Sequence, residues 1–186
     1  PPEAQAGLEL FYGKAGCGTC HAGQFQTDHA FHAIAMPQIG PGKKARFEEH
    51  HRDTGRMRVT GAATDAYAFR TPSLRHVTET APYGHAGSFA TLEGAVRHHL
   101  DPLASLAGYD RAQAVLIGAT DADFAVLDTP SERAVIAQAN TLAPVDLSDA
   151  EVAQILAFLE TLTDPRASGG RLGVPGAVPS GLPVAR

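Results

Sequence analysis

"KAGCGTCHAG", residues 14–23, holds both cysteines of a 186-residue chain, Cys17 and Cys20, and sets His21 directly after the second. Two cysteines about one helical turn apart present their thiols on one face, and the histidine beside them reaches the same side. This C-x-x-C-H spacing suits a c-type haem: the thiols add to the two vinyl groups, and the imidazole ligates the iron. Covalent attachment lets a small domain keep a large apolar cofactor through every redox cycle. Other chemistries also use cysteine pairs. A thioredoxin-like pair needs a βαβ context, which this sequence lacks. A zinc site would need further ligands, and His29 and His32 stand at an unfamiliar spacing for one. A disulfide across two intervening residues contributes little loop entropy. The motif therefore predicts one covalent haem c held by Cys17, Cys20 and His21.

The rest of the composition fits a soluble haem domain. Hydrophobic residues make up 44 % of the chain and charged residues 19 %, while aromatics reach only 6 % and tryptophan is absent. A large cofactor would supply the apolar bulk that the side chains do not. The formal net charge of -5 leaves no basic excess to pair with phosphates, which argues against nucleic acid as a partner. No run of about 18 apolar residues is present, so no membrane span is expected. The chain starts at Pro1 without a leader and reads as a mature or trimmed product. A c-type haem matures outside the cytoplasm, so the expected compartment is the periplasm.

Working outward from the motif, the spacing of Leu8, Phe11 and Tyr12 predicts a helix over 3–16, with Gly16 at its end. Residues 22–66 lack periodicity and hold Gly40, Pro41 and Gly42 together; a strand is suggested only at Met57–Thr60. "FRTPSLRHV" (69–77) and "TAPYGHAGS" (80–88) are rich in turn residues. A helix follows over 91–100, with Thr91 as cap and Pro102 past its end, and another is expected over 131–140. The clearest helix spans 149–162, where Ser148 and Glu151 form a capping box and Val152, Ile155, Leu156 and Leu159 form one face. From Ala167 the chain is Gly/Pro-rich and reads as an extended arm. The expected fold is mostly α: a cytochrome c-like helical domain over 1–165, with long irregular loops and an extended C-terminal arm over 166–186.

"LELFYGKAGCGTCHAG", "GRMRVTG", "FRTPSLRHVTETAPYGHAGSFATLEGAVRHH" and "LSDAEVAQILAFLETLTDP" together resemble the C-terminal haem domain of bacterial dihaem cytochrome c peroxidases, a superfamily that includes MauG. The resemblance covers roughly residues 7–165. It implies a periplasmic protein of two mostly helical cytochrome c domains. The N-terminal domain carries the haem where hydrogen peroxide is reduced. The C-terminal domain carries an electron-transfer haem supplied by a small donor cytochrome or cupredoxin, and calcium sits between the two. This chain has a single C-x-x-C-H, so it reads either as a proteolytic or separately encoded half of a dihaem protein or as a single-haem relative, and by itself it is expected to transfer electrons only.

The resemblance places the sixth iron ligand, methionine or tyrosine in relatives, on the helix after "APY-x-H-x-G". Counted without gaps from His85, that position is His99. On a helix Leu92, Ala95, Val96 and His99 share a face, while His98 points about 100° away. A face of Leu, Ala and Val suits packing on a porphyrin, so His21 and His99 are expected as a bis-histidine pair. The alternatives are Met36 or Met57 as ligand, His98, or an open site with His99 merely hydrogen-bonded in the interior.

Arg70 and Arg75 flank "TPSL" and have the guanidinium geometry that matches haem propionates; the competing reading is a solvated surface. The resemblance puts His85 near the haem, where it would orient a propionate or serve the path between haems. It also matches Thr80 and Pro82 to positions whose backbone carbonyls bind the interdomain calcium. His50, His51, Arg46, Arg52, Arg56 and Arg58 form a locally basic stretch able to dock an acidic partner or simply to be solvated. His29, His32 and His76 carry no assignment.

Three functions compete. The first is electron transfer by a haem domain serving a dihaem peroxidase or MauG-like oxidase. The second is a self-sufficient peroxidase or oxidase with an open iron, which would need a poised acid/base group; Glu79 and Glu93 lie near the motifs, and neither is compelling. The third is a non-catalytic redox subunit of a larger complex, docked through the Gly/Pro-rich tail.

Overall fold

The computed structural model describes residues 1–40, 50–116, 122–166 and 177–182. In chain order the helices are α1 (Pro2–Tyr12), α2 (Met57–Thr60), α3 (Leu92–Leu100), α4 (Pro102–Ala107), α5 (Ala125–Asp128), α6 (Pro130–Gln138) and α7 (Asp149–Glu160). The strands are β1 (Phe31–His32) and β2 (Phe69–Arg70), paired antiparallel with Phe31 opposite Arg70. Short 3-10 turns and irregular loops fill the rest of the described residues, in line with the sequence of 22–40 and 50–56.

The frame is the crossing of α1 and α7. Gly7 makes it possible: a Cβ there would stand 1.8 Å from the Gln154 carbonyl oxygen, so only a hydrogen lets the backbones meet. Phe11, Ile155, Phe158, Leu159 and Val77 form the core at this crossing, with the Phe11 and Phe158 rings 5.1 Å apart. The expected α1 stripe is therefore only part right. Its buried residues are Ala4, Gly7 and Phe11, while Leu8 and Tyr12 are 40 % and 46 % exposed. The helix also ends sooner than the sequence suggests. Gly13 caps it by donating to the Leu10 carbonyl, and Gly16, with φ 68°, starts the turn that carries the cysteines.

On α7 the capping box forms as read, with Ser148 Oγ accepting from Glu151 N and the Glu151 carboxylate accepting from Ser148 N. Thr91 caps α3 by accepting from Gly94 N. Pro102 does more than follow α3: it opens α4 in the next residue pair, capped by Asp101. The strand suggested at Met57–Thr60 is instead the helical turn α2. Its i→i+4 bonds, Thr60 N to Arg56 O and Gly61 N to Met57 O, outweigh the β-branched character of Val59 and Thr60.

A second apolar cluster, including Ala35, Ile39, Tyr67, Leu106 and Ile136, is built by the loops and by α4, α5 and α6. Met36, Phe89 and Ala95 make a third, beside α3. So α3 is packed from both sides: Leu92 and Val96 face the α1/α7 core, and Ala95 faces Met36 and Phe89. Most of the C-terminal arm, 167–176 and 183–186, lies outside the described residues; within 177–182, Leu182 is 67 % exposed.

Candidate functional site

The turn Cys17–Thr19 delivers the motif. The Cys17 carbonyl accepts from Cys20 N at 3.3 Å and from His21 N at 2.9 Å, which winds the two cysteines and the histidine round one axis. Both thiols are free. Cys17 packs against the α1/α7 core, and burial pushes its thiol up to about 11. Burial also raises the Cys20 thiol, helped by the nearby Asp28 carboxylate.

The His21 ring is oriented by a hydrogen bond of 3.0 Å between Nδ1 and the Gln26 carbonyl. A carbonyl only accepts, so Nδ1 carries the proton and Nε2 keeps its lone pair. His99 is arranged the same way: Nδ1 donates to the Ala95 carbonyl at 2.7 Å, which leaves Nε2 as the lone-pair nitrogen. Burial lowers the pKa of both rings, and a charge on His99 would lower that of His21 further. Two neutral imidazoles, each locked in the tautomer that presents Nε2, are what axial ligation of an iron requires.

His98 differs. It is fully buried, with Nδ1 on Ser105 Oγ and Nε2 on the Ile34 carbonyl, both at 2.9 Å. Both nitrogens are spent and burial holds the ring near a pKa of about 4, so it is a structural residue. Met36 is buried with Phe89 and Ala95, whereas Met57 begins the α2 turn.

The remaining expected residues take other partners in this structure. Arg70 Nη1 donates to the Thr71 carbonyl, and the Arg75 guanidinium lies 5.8 Å over the Phe25 ring. His85 stacks on Phe69 at 4.0 Å, and its Nε2 meets Asp53 Oδ2 at 3.2 Å. The Thr80 hydroxyl donates to the Val77 carbonyl, and Pro82 immediately precedes the turn closed by mutual Tyr83–Phe89 backbone bonds. The basic stretch is largely neutralised where it is described: Arg52 pairs with Glu132, and Arg56 with Asp65. Arg46 lies outside the described residues. Glu93 pairs with Arg97.

Sequence reading missed two features. Cys20, Asp28 and His32 converge, with their ligand-type atoms within 4.8 Å of one another. Asp28 and His32 already bond each other at 2.7 Å, and that bond holds the Asp28 carboxyl down to about 2. Cys20 is also part of the C-x-x-C-H motif, so this group lies beside it. The other missed residue is Gln26, whose carbonyl orients His21. It contributes through its backbone, which leaves no residue-type signal in the sequence.

No protein-family model matches the chain. The cytochrome-c peroxidase IdrP1 of Denitromonas iodatirespirans is 30 % identical over 180 residues, covering 87 % of this chain and 40 % of the relative. The methylamine utilization protein MauG of Methylorubrum extorquens is 38 % identical over 100 residues, 53 % of this chain and 25 % of the relative. The cytochrome c peroxidase Ccp of Escherichia coli is 35 % identical over 96 residues, 51 % of this chain and 19 % of the relative. The chain thus spans two fifths or less of the length of these curated relatives. Among solved structures, a MauG-like protein associated with microbial copper homeostasis superposes with a TM-score of 0.61 at 27 % identity, over 93 % of this chain and 50 % of that one. The diheme peroxidase BthA of Burkholderia thailandensis shares the fold, with a TM-score of 0.62 at 24 % identity over 89 % of this chain and 43 % of that one. The mostly helical, cytochrome c-like architecture and these relatives agree, and both are consistent with a domain of the superfamily of dihaem cytochrome c peroxidases and MauG.

Proposed function

We propose that this chain is a c-type haem electron-transfer unit, the electron-accepting part of a dihaem cytochrome c peroxidase or MauG-like oxidoreductase. The observation that carries the reading is the matched pair of imidazoles. His21 and His99 each engage Nδ1 on a backbone carbonyl and keep Nε2 for a metal. The donor set fits a haem c: Cys17 and Cys20 would hold the porphyrin, and His21 and His99 the iron. When bound, the haem supplies a one-electron couple.

The chain's own residues do the rest. The Gln26 and Ala95 carbonyls fix the two rings in one tautomer and orientation. Phe11, Leu92, Val96 and Phe158 supply an apolar wall that keeps water away and favours a closed, electron-carrying centre. With His21 and His99 both holding the iron, no place would be left for peroxide, and the chemistry on peroxide would belong to a second haem domain or subunit. Electrons come from a small cytochrome or cupredoxin. Arg70 and Arg75 would pair with the haem propionates in place of their present contacts with the Thr71 carbonyl and the Phe25 ring, and His85 is anchored by Asp53. A calcium ion held partly by the Thr80 and Pro82 carbonyls belongs to the same proposal, as does a periplasmic location, because thioether formation takes place outside the cytoplasm.

The test is His99→Ala in the haem-loaded protein. The ferrous form should change from six-coordinate low-spin to a form that binds carbon monoxide. An unchanged low-spin spectrum would sink the ligand assignment.

A further inference from the structure

We propose that Tyr12 and Gln26 are positioning residues for His21: the Tyr12 hydroxyl, acting through the Gln26 side chain, holds the Gln26 carbonyl on the His21 Nδ1–H and so sets how strongly that imidazole donates to its iron. The inference rests on the haem reading above.

Gln26 has φ 52°, in the left-handed region that a residue with a Cβ occupies at a cost of about 1 kcal/mol. Something must hold it there. All four of its polar groups are engaged. The backbone N donates to the Gly23 carbonyl at 3.1 Å, and Nε2 donates to the same carbonyl at 3.0 Å. Oε1 accepts from Tyr12 Oη at 2.6 Å. The backbone carbonyl accepts from His21 Nδ1 at 3.0 Å. The Tyr12 bond is the one link in this set that leaves the 22–26 loop and ties it to α1.

Tyr12 is itself well located. Its ring covers Gly18, between the two cysteines: a Cβ at Gly18 would stand 2.4 Å from Tyr12 Cδ1. The ring meets Phe11 edge-on at 5.2 Å and Phe158 at 6.3 Å. One half-exposed side chain thus touches the turn that precedes His21 and, through Gln26, the loop that follows it. This also explains why Tyr12 stays at the surface although it lies on the expected apolar stripe.

The consequence follows from ligand chemistry. An imidazole that donates Nδ1–H to a carbonyl is a more basic ligand at Nε2 and favours the more oxidised metal. Loosening the carbonyl makes the ligand weaker and raises the reduction potential.

The test uses the haem-loaded protein in four forms: wild type, Tyr12→Phe, Gln26→Gly and the double variant. Gln26→Gly keeps the carbonyl, removes the clamp, and accepts the positive φ without strain. Spectroelectrochemical titration should show a positive shift of the midpoint potential in each single variant, with the low-spin spectrum retained. The double variant should shift no further than the larger single shift, since both act by one route. Proton NMR should show faster exchange of the His21 Nδ1–H in all three. Unchanged potentials in haem-loaded variants, or fully additive shifts, overturn the inference while leaving the haem reading intact. Absence of a covalent haem in the wild type overturns both.

Discussion

His98 and His99 are neighbours on one helix with opposite chemistry. His99 spends one nitrogen on its own helix; His98 spends both on the surrounding fold. Replacing His98 by Leu would leave the Ile34 carbonyl and Ser105 hydroxyl buried and unpaired, so about 2–4 kcal/mol of stability should be lost in urea titrations while the absorption spectrum stays the same. The same residue gives a pH dependence. Burial lowers its pKa from 6.5 in the unfolded chain to about 4 in the fold. Between those values the unfolded chain binds more protons, so the contribution is complete above pH 6.5 and is lost as pH falls toward 4. The loss approaches roughly 3 kcal/mol across that window. Urea midpoints at pH 7 and pH 4.5 should separate in the wild type and lie closer in His98→Leu. A wild-type midpoint that does not move would contradict the neutral, buried state. The sequence shows which of the two histidines shares a face with Leu92 and Val96. It does not show that Ile34 and Ser105 lie beside the other, because those contacts join residues 64 and 7 positions away.

The α1/α7 crossing is the element on which the site stands, since α1 packs both Tyr12 against Gly18 and Phe11 against the core. Gly7→Ala should push the helices apart and cost about 3 kcal/mol, with a lower yield of haem-loaded protein. Wild-type stability in that variant would show that the crossing tolerates a Cβ. Helices with strong end signals were readable: the capping box of α7 and the Thr91 cap of α3 are local devices written in adjacent residues. Elements set by tertiary context were not. The two strands have two residues each, too short for any alternation to register, and Met57–Thr60 shows a β-like pattern yet closes a helical turn before Gly61. The start of the cysteine turn was also hidden, because either Gly13 or Gly16 could end α1 and only the left-handed Gly16 reveals the division of labour.

At the scale of the whole molecule, the described residues have a cytochrome c-like fold, and the chain spans two fifths or less of the curated relatives it matches. The C-x-x-C-H motif and the long block 69–99 carried the family to the surface of the sequence. The partners of His85 and of the arginines did not follow from it, because they depend on loops that meet across large sequence separations, as Asp53 does with His85. No described helix is long and apolar enough to cross a membrane. The central claim is that the iron is closed by two protein ligands and carries electrons. It is tested most directly by the absorbance spectrum of the ferrous protein with and without carbon monoxide. With both iron positions held by His21 and His99, adding the gas is expected to leave the spectrum unchanged. Ready binding of carbon monoxide would mean an open or weakly held sixth position, and would contradict both the His99 assignment and the electron-transfer role.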